Sequence, residues 1–276
     1  MTDYRNWSGA AGGNGWGTAG NWDTAPVSTN GVNFPAMAAA STKDVAGSDQ
    51  SAVLLVSLCV EAGNYLNFGS RLAPLIVDTD YFEFRGLGAR SFWNVLNCAD
   101  MRILSGVSAS SGYGYGTHLT STAVTLLVVN PAAGGGSNAS ISLAALGGES
   151  AAFTTMMLQS GEITVGAAVT CTTCNVSGGT IQYNSDVTTM NVSGGTVTVA
   201  RNNPTTLNIQ GGRVYYNSAD VPTTINLYEG GLLDLTQDQR AKTLTVNLYG
   251  GTISCRYGQL DGSTVNIKGG GTLQVA

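Results

Sequence analysis

At 276 residues and 28.3 kDa the chain suits one large domain or two small ones. Lys+Arg 12 against Asp+Glu 17, a formal charge of -5 and a pI near 4.7 exclude a nucleic-acid grip, which needs clustered Lys and Arg to displace counterions. Charged residues are only 11% while Gly fills 38 positions, so neutral polar groups, 31 Thr foremost, must cover the surface; they suit strands and turns.

The opening residues, from Met1 to Trp7, carry neither a basic run nor an apolar core. No secretory signal is expected, and the chain is expected to be made in the cytosol and to stay there until assembly. Residues 1–50 are Gly-rich and hold Trp7, Trp16 and Trp22, which suggests an N-terminal arm or cap. Residues 51–154 form an irregular β-rich region, with apolar runs at 52–60, 74–77, 95–104 and 124–129 parted by Gly-rich stretches such as 112–116 and 134–136. They read either as long, imperfect coils or as a separate β-domain that docks on a partner. A boundary is expected near 131–154 because 131–137 is turn-like. The longest apolar run, 52–60, is far short of the roughly twenty residues that span a bilayer, so no membrane segment is expected.

From residue 155 to the end one pattern recurs: Thr, apolar, Asn, apolar, any residue, Gly-Gly, then four residues with the second and fourth apolar. The copy at Thr173, Cys174, Asn175, Val176 is followed by Thr189, Met190, Asn191, Val192 and by Thr206, Leu207, Asn208, Ile209. Looser copies begin at Thr224, Thr245 and Thr264, and the copy at Thr155 has Met157 in place of Asn. Within each copy the period of two marks short strands with one buried face, and the Gly pair marks a corner. Such a unit cannot bury its own apolar side, whereas stacked copies can. The fold class expected is all-β, a right-handed parallel β-helix or β-solenoid of about seven coils over 155–276. At about 4.8 Å per coil the repeat makes a rod of roughly 34 Å. Residues 237–242 look like a loop grown from one corner.

The opening Gly15-Trp16, Gly20-Asn21-Trp22, Pro26 and Val32-Asn33-Phe34, with the repeat style of the last 120 or so residues, resembles the first coil of autotransporter-type β-solenoid passengers. Similar openings occur in β-helical proteins of bacteriophage virions, of the capsid decoration or cement type. An autotransporter needs a signal peptide and an outer-membrane barrel, neither of which is visible here, so the virion family is the better match. The resemblance implies a non-enzymatic structural protein of a tailed-phage particle, a homotrimer bound to the major capsid protein or other virion proteins, located in the virion after assembly in the host cytoplasm. The alternative is a tailspike or fibre module that binds or cleaves host surface glycans.

Chemistry on a solenoid sits where carboxylates of adjacent coils converge, and glycan hydrolysis needs two within about 5 to 9.5 Å. Asp186 and Asp220 occupy similar corners two coils apart, with Arg201 between them, and form the candidate glycan-binding column. Turns favour Asp on their own account. Trp7, Trp16 and Trp22 are candidate docking anchors, because large aromatics dominate interfaces, or equally a plug for the solenoid's end. The single histidine, His118, makes a catalytic triad or a histidine-rich metal site improbable. No catalytic residue, cofactor or metal is expected. Five Cys at irregular spacing read as reduced thiols, Cys171 and Cys174 included. The outward Asn and Thr columns offer a flat, neutral face, suited either to a second copy or to water. The final coil shows no amphipathic cap.

Overall fold

The computed structural model describes residues 3–11, 15–36, 45–86, 91–105, 117–134, 139–144, 149–238 and 240–275. The Gly-rich segment 112–116, and residues 135–137 of the turn-like stretch, lie outside them. Among the described residues the chain is all-β: twenty-three strands in one unclosed parallel sheet, with helix confined to single turns at Ala19–Asn21 and Pro131–Gly134.

Two ladders of strands run the length of the molecule. The first begins with Tyr4–Asn6 and Gly31–Phe34, takes in Asp49–Val60 and Leu75–Phe84, and continues through Ala151–Leu158 and Val169–Val176 to Thr264–Ile267. It contains thirteen strands. The second starts at Ser91–Leu96 and passes through Ser140–Leu143 and Glu162–Val165 to Thr272–Val275. The pairing lays like on like: Thr173 on Thr189 on Thr206, and Asn175 on Asn191 on Asn208. Between Cys171 and Thr173 the ladder skips Thr172, and on the facing strand Thr188, so each long strand bends there and a third short face results.

The same register crosses the 131–154 region without a break, since Leu126 to Val129 pair with Thr155 to Leu158. The irregular first half is therefore wound on the same axis as the repeat. In it the column later held by Asn is occupied in turn by Asn6, Asn33, Cys59, Glu83, Arg102, Val128 and Met157. Thirteen stacked strands at about 4.8 Å span roughly 58 Å.

One hydrophobic cluster threads every rung. Its inner side is aromatic at the N-terminal end, where Trp7, Trp16, Trp22 and Phe34 meet with ring centroids 4.9 to 5.8 Å apart, and Phe68, Phe82, Phe84 and Trp93 continue the stack. Towards the other end it is mainly aliphatic, with Val192, Val199, Ile209, Leu227 and Leu248, and Tyr183 and Tyr216 buried among them. Edge-to-face packing of this kind adds about 0.5–1.5 kcal/mol per pair beyond burial. In the last rung Ile267, Leu273 and Val275 stay exposed.

The Gly pair is explained by the stacking itself. At Gly194 a Cβ would lie 2.4 Å from the carbonyl oxygen of Ser177 in the rung before, and Gly195 has φ +77°. One position needs the missing side chain for closeness, the other for its backbone angle.

Candidate functional sites along the solenoid faces

Of the candidate column, Asp186 opens the strand Asp186–Val192, while Arg201 and Asp220 lie in the turns before Pro204–Ile209 and Thr224–Leu227. All three side chains are exposed, and no hydrogen bond or ion pair joins them. The residue that links neighbouring rungs there is Asn203, whose backbone N–H donates to Asp186 Oδ1 at 3.2 Å and whose Nδ2 donates to the Val221 carbonyl at 2.8 Å. Asn202, with φ +55°, turns the chain between Arg201 and Asn203. Asp220 is held by its own turn: its N–H donates to Ser218 Oγ, and its carbonyl accepts from Tyr216 Oη at 2.9 Å. Asp186 does border a groove of about 280 Å³ beside Thr170, Thr188 and Thr205, along the bend between two faces.

Trp7, Trp16 and Trp22 are buried to within 5% of full cover, and the indole Nε1 of Trp22 donates to the Trp16 carbonyl at 2.7 Å. As placed they close the end of the core and present no ring to a partner. Exposed apolar side chains near this end include Val27, Leu54 and Val56, on neighbouring segments joined by the Thr29 N–H to Leu54 carbonyl bond and the Val56 N–H to Asn30 carbonyl bond. Residue type alone could not separate these roles. Cys171 and Cys174 are buried free thiols, and burial pushes the Cys171 thiol up to about 11, so neither is poised as a nucleophile.

The Asn column is a continuous hydrogen-bonded ladder. Nδ2 of Asn191, Asn208, Asn226, Asn247 and Asn266 each donates to Oδ1 of the Asn one rung earlier, at 2.8 to 3.1 Å. Every amide therefore points the same way along the axis. Beside its start lies a groove of about 420 Å³, bordered by Met157, Gln159, Asn175, Ser177, Asn191 and Gln210, together with Val176 and Ser193. Further along the same turn, Tyr228 and Tyr249 stack with centroids 5.0 Å apart and planes 9° from parallel.

Two polar clusters that the sequence did not join are assembled by the winding. In the 237–242 loop, Asp238 accepts from Arg240 and from Lys242, whose buried Nζ lies 2.8 Å away and also donates to the Ser218 carbonyl at 2.5 Å. Nζ sits 5.4 Å from the Tyr216 ring centroid. Gln259, one rung on, donates to the Leu235 and Asp238 carbonyls, both at 2.6 Å. The second cluster centres on His118, with Nδ1 2.8 Å from Ser142 Oγ and Nε2 2.7 Å from Glu149 Oε2. Hydroxyl, imidazole and carboxylate stand in the order of a hydrolytic relay, which the count of one histidine had argued against. Yet the Ser142 side chain has no exposed surface, and its strand is paired on both sides, so its backbone N–H groups are held in the ladder rather than offered to an oxyanion.

Comparison with protein-family models, with curated proteins and with solved structures finds no match for this chain.

Proposed function

We propose that this chain is a non-enzymatic structural protein of a tailed-bacteriophage virion, a homotrimeric capsid decoration or cement protein that stabilises the shell and projects from it. The observation that carries this reading is the single core running through every rung, which makes the molecule a stiff rod of roughly 58 Å with lateral hydrogen bonds at each step. Low charge and neutral outward columns suit close packing against other subunits, because few charges must lose water on assembly. The opening residues' resemblance to virion β-helices supplies the setting. Val27, Leu54 and Val56 form the apolar patch that meets the major capsid protein in this reading.

Two measurements test it. Light scattering on the purified chain reads a trimer at micromolar concentration if the reading is right. Quantitative mass spectrometry of purified particles reads hundreds of copies for a capsid protein. A monomer, together with a few tens of copies per particle, would place the protein in the tail and refute the cement role.

A further inference from the structure

We propose that the groove at the start of the asparagine ladder binds a glycan containing N-acetylated hexosamine. Each ladder amide donates from Nδ2 to the preceding rung, but in the rung before Asn175 the position belongs to Met157. Asn175 Nδ2 thus has no protein acceptor among the described residues, while its Oδ1 is taken by Asn191. Aligned amides polarise one another, so the donor end of the chain is its strongest hydrogen-bond donor. That end opens into the 420 Å³ groove.

The lining defines the occupant. Among the described residues no charged side chain borders the groove, which leaves nothing there to neutralise an anion. Asn175 requires an acceptor oxygen, and Met157 beside it offers a soft apolar contact. An acetamido group carries a carbonyl oxygen and a methyl one bond from the same carbon, and so matches both. Gln159, Ser177 and Gln210 then face ring hydroxyls. An extended peptide laid along the axis fits less well, because its N–H groups would meet carbonyls already committed between rungs. The groove runs from the Met157 rung to the Gln210 rung, three steps or about 14 Å, enough for a short oligosaccharide. This role goes beyond the structural one, and particle stoichiometry can refute the latter without touching it.

The test is an NMR titration of the intact chain, labelled at Asn side-chain amides and Met methyls, with tri-N-acetylchitotriose at millimolar concentration. Shifts confined to Asn175 Nδ2, the Met157 methyl and their neighbours are expected, with cellotriose, which bears hydroxyls instead of acetamides, at least about fivefold weaker. Met157→Asn extends the ladder by one amide, gives Asn175 its missing acceptor, and is expected to weaken binding about tenfold while the fold persists. Asn247→Ala, three rungs beyond Asn191, leaves binding unchanged. Absence of shifts at Asn175 and Met157, equal binding of cellotriose, or unaltered binding by Met157→Asn each overturns the proposal. Broadening of these signals with protein concentration alone overturns it in favour of a second copy on this face.

Discussion

Replacing Asp238 with Ala leaves the Lys242 ammonium stranded. Lys242 is only 3% exposed, and with the carboxylate gone its Nζ keeps the Ser218 carbonyl and the face of Tyr216 but no counter-charge. Breaking one partner of a buried pair typically costs about 3–5 kcal/mol, because the remaining charge has lost both water and partner. Lys242→Met removes that charge and leaves Asp238 with Arg240, so a smaller loss of about 1 kcal/mol is expected. The double variant is therefore expected to be more stable than Asp238→Ala alone. Stacked rungs open locally, so the suitable assay is native-state hydrogen exchange of Thr245–Leu248 and Thr252–Cys255, supported by urea unfolding. pH gives a second handle. Hydrogen bonds from Arg240, with Lys242 adding to them, hold the Asp238 carboxyl far below the usual carboxylate range. Its folded pKa lies under the unfolded one, so the stabilisation is present above about pH 4 and drains away as pH falls towards the folded value. The gap between parent and Asp238→Ala must narrow in acid. A loss under about 1 kcal/mol, the size of an exposed pair, or a double variant less stable than Asp238→Ala, would refute the reasoning.

Gly195→Ala combines a positive φ with a Cβ 2.7 Å from the Gly179 carbonyl, and is expected to cost about 1–3 kcal/mol in urea unfolding, whereas Gly270→Ala, where a Cβ meets nothing within 4 Å, should change little. Trp22→Ala opens a cavity in the aromatic end and is expected to cost about 3–5 kcal/mol, read from loss of near-ultraviolet dichroism and faster exchange in Gly31–Phe34. Burial holds His118 below its ordinary pKa against the opposing pull of Glu149, so the unfolded chain takes up that proton first and stability declines as pH drops below about 6.5. With a single histidine in the chain, thermal unfolding between pH 7.5 and 5 should show this slope in the parent and lose it in His118→Gln; parallel curves would sink the assignment.

The regular half was legible because its two signals are redundant. Alternation fixes which side chains face in, and the Thr, Asn and Gly-Gly positions fix where one rung sits on the next, so Asn191 could be placed over Asn175 from the sequence alone. The first half obeys only the inward rule. Cys59, Glu83, Arg102 and Val128 share a column on the outer face, where parallel pairing places no demand on residue type, and the loops between them differ in length. Its membership in the same winding was thus invisible until strands paired. At the corner of Asp186, Arg201 and Asp220 the left-handed Asn202 stands between Arg201 and Asn203, and it is Asn203 that bonds both to Asp186 and to the Val221 carbonyl, a pairing that residue spacing does not announce. The meeting of His118, Ser142 and Glu149 depends on register across two rungs and on a loop, and no spacing in the sequence announces it.

The sealed aromatic end also fixes a direction in time. Trp7, Trp16, Trp22 and Phe34 leave the ribosome before the core residues that follow them, and they can meet before anything downstream exists. Each later segment then finds a finished edge of N–H and C=O groups waiting as its template, so winding can keep pace with translation and no segment need search for a distant mate. An edge of this kind allows growth by addition, as in a crystal seeded at a single face.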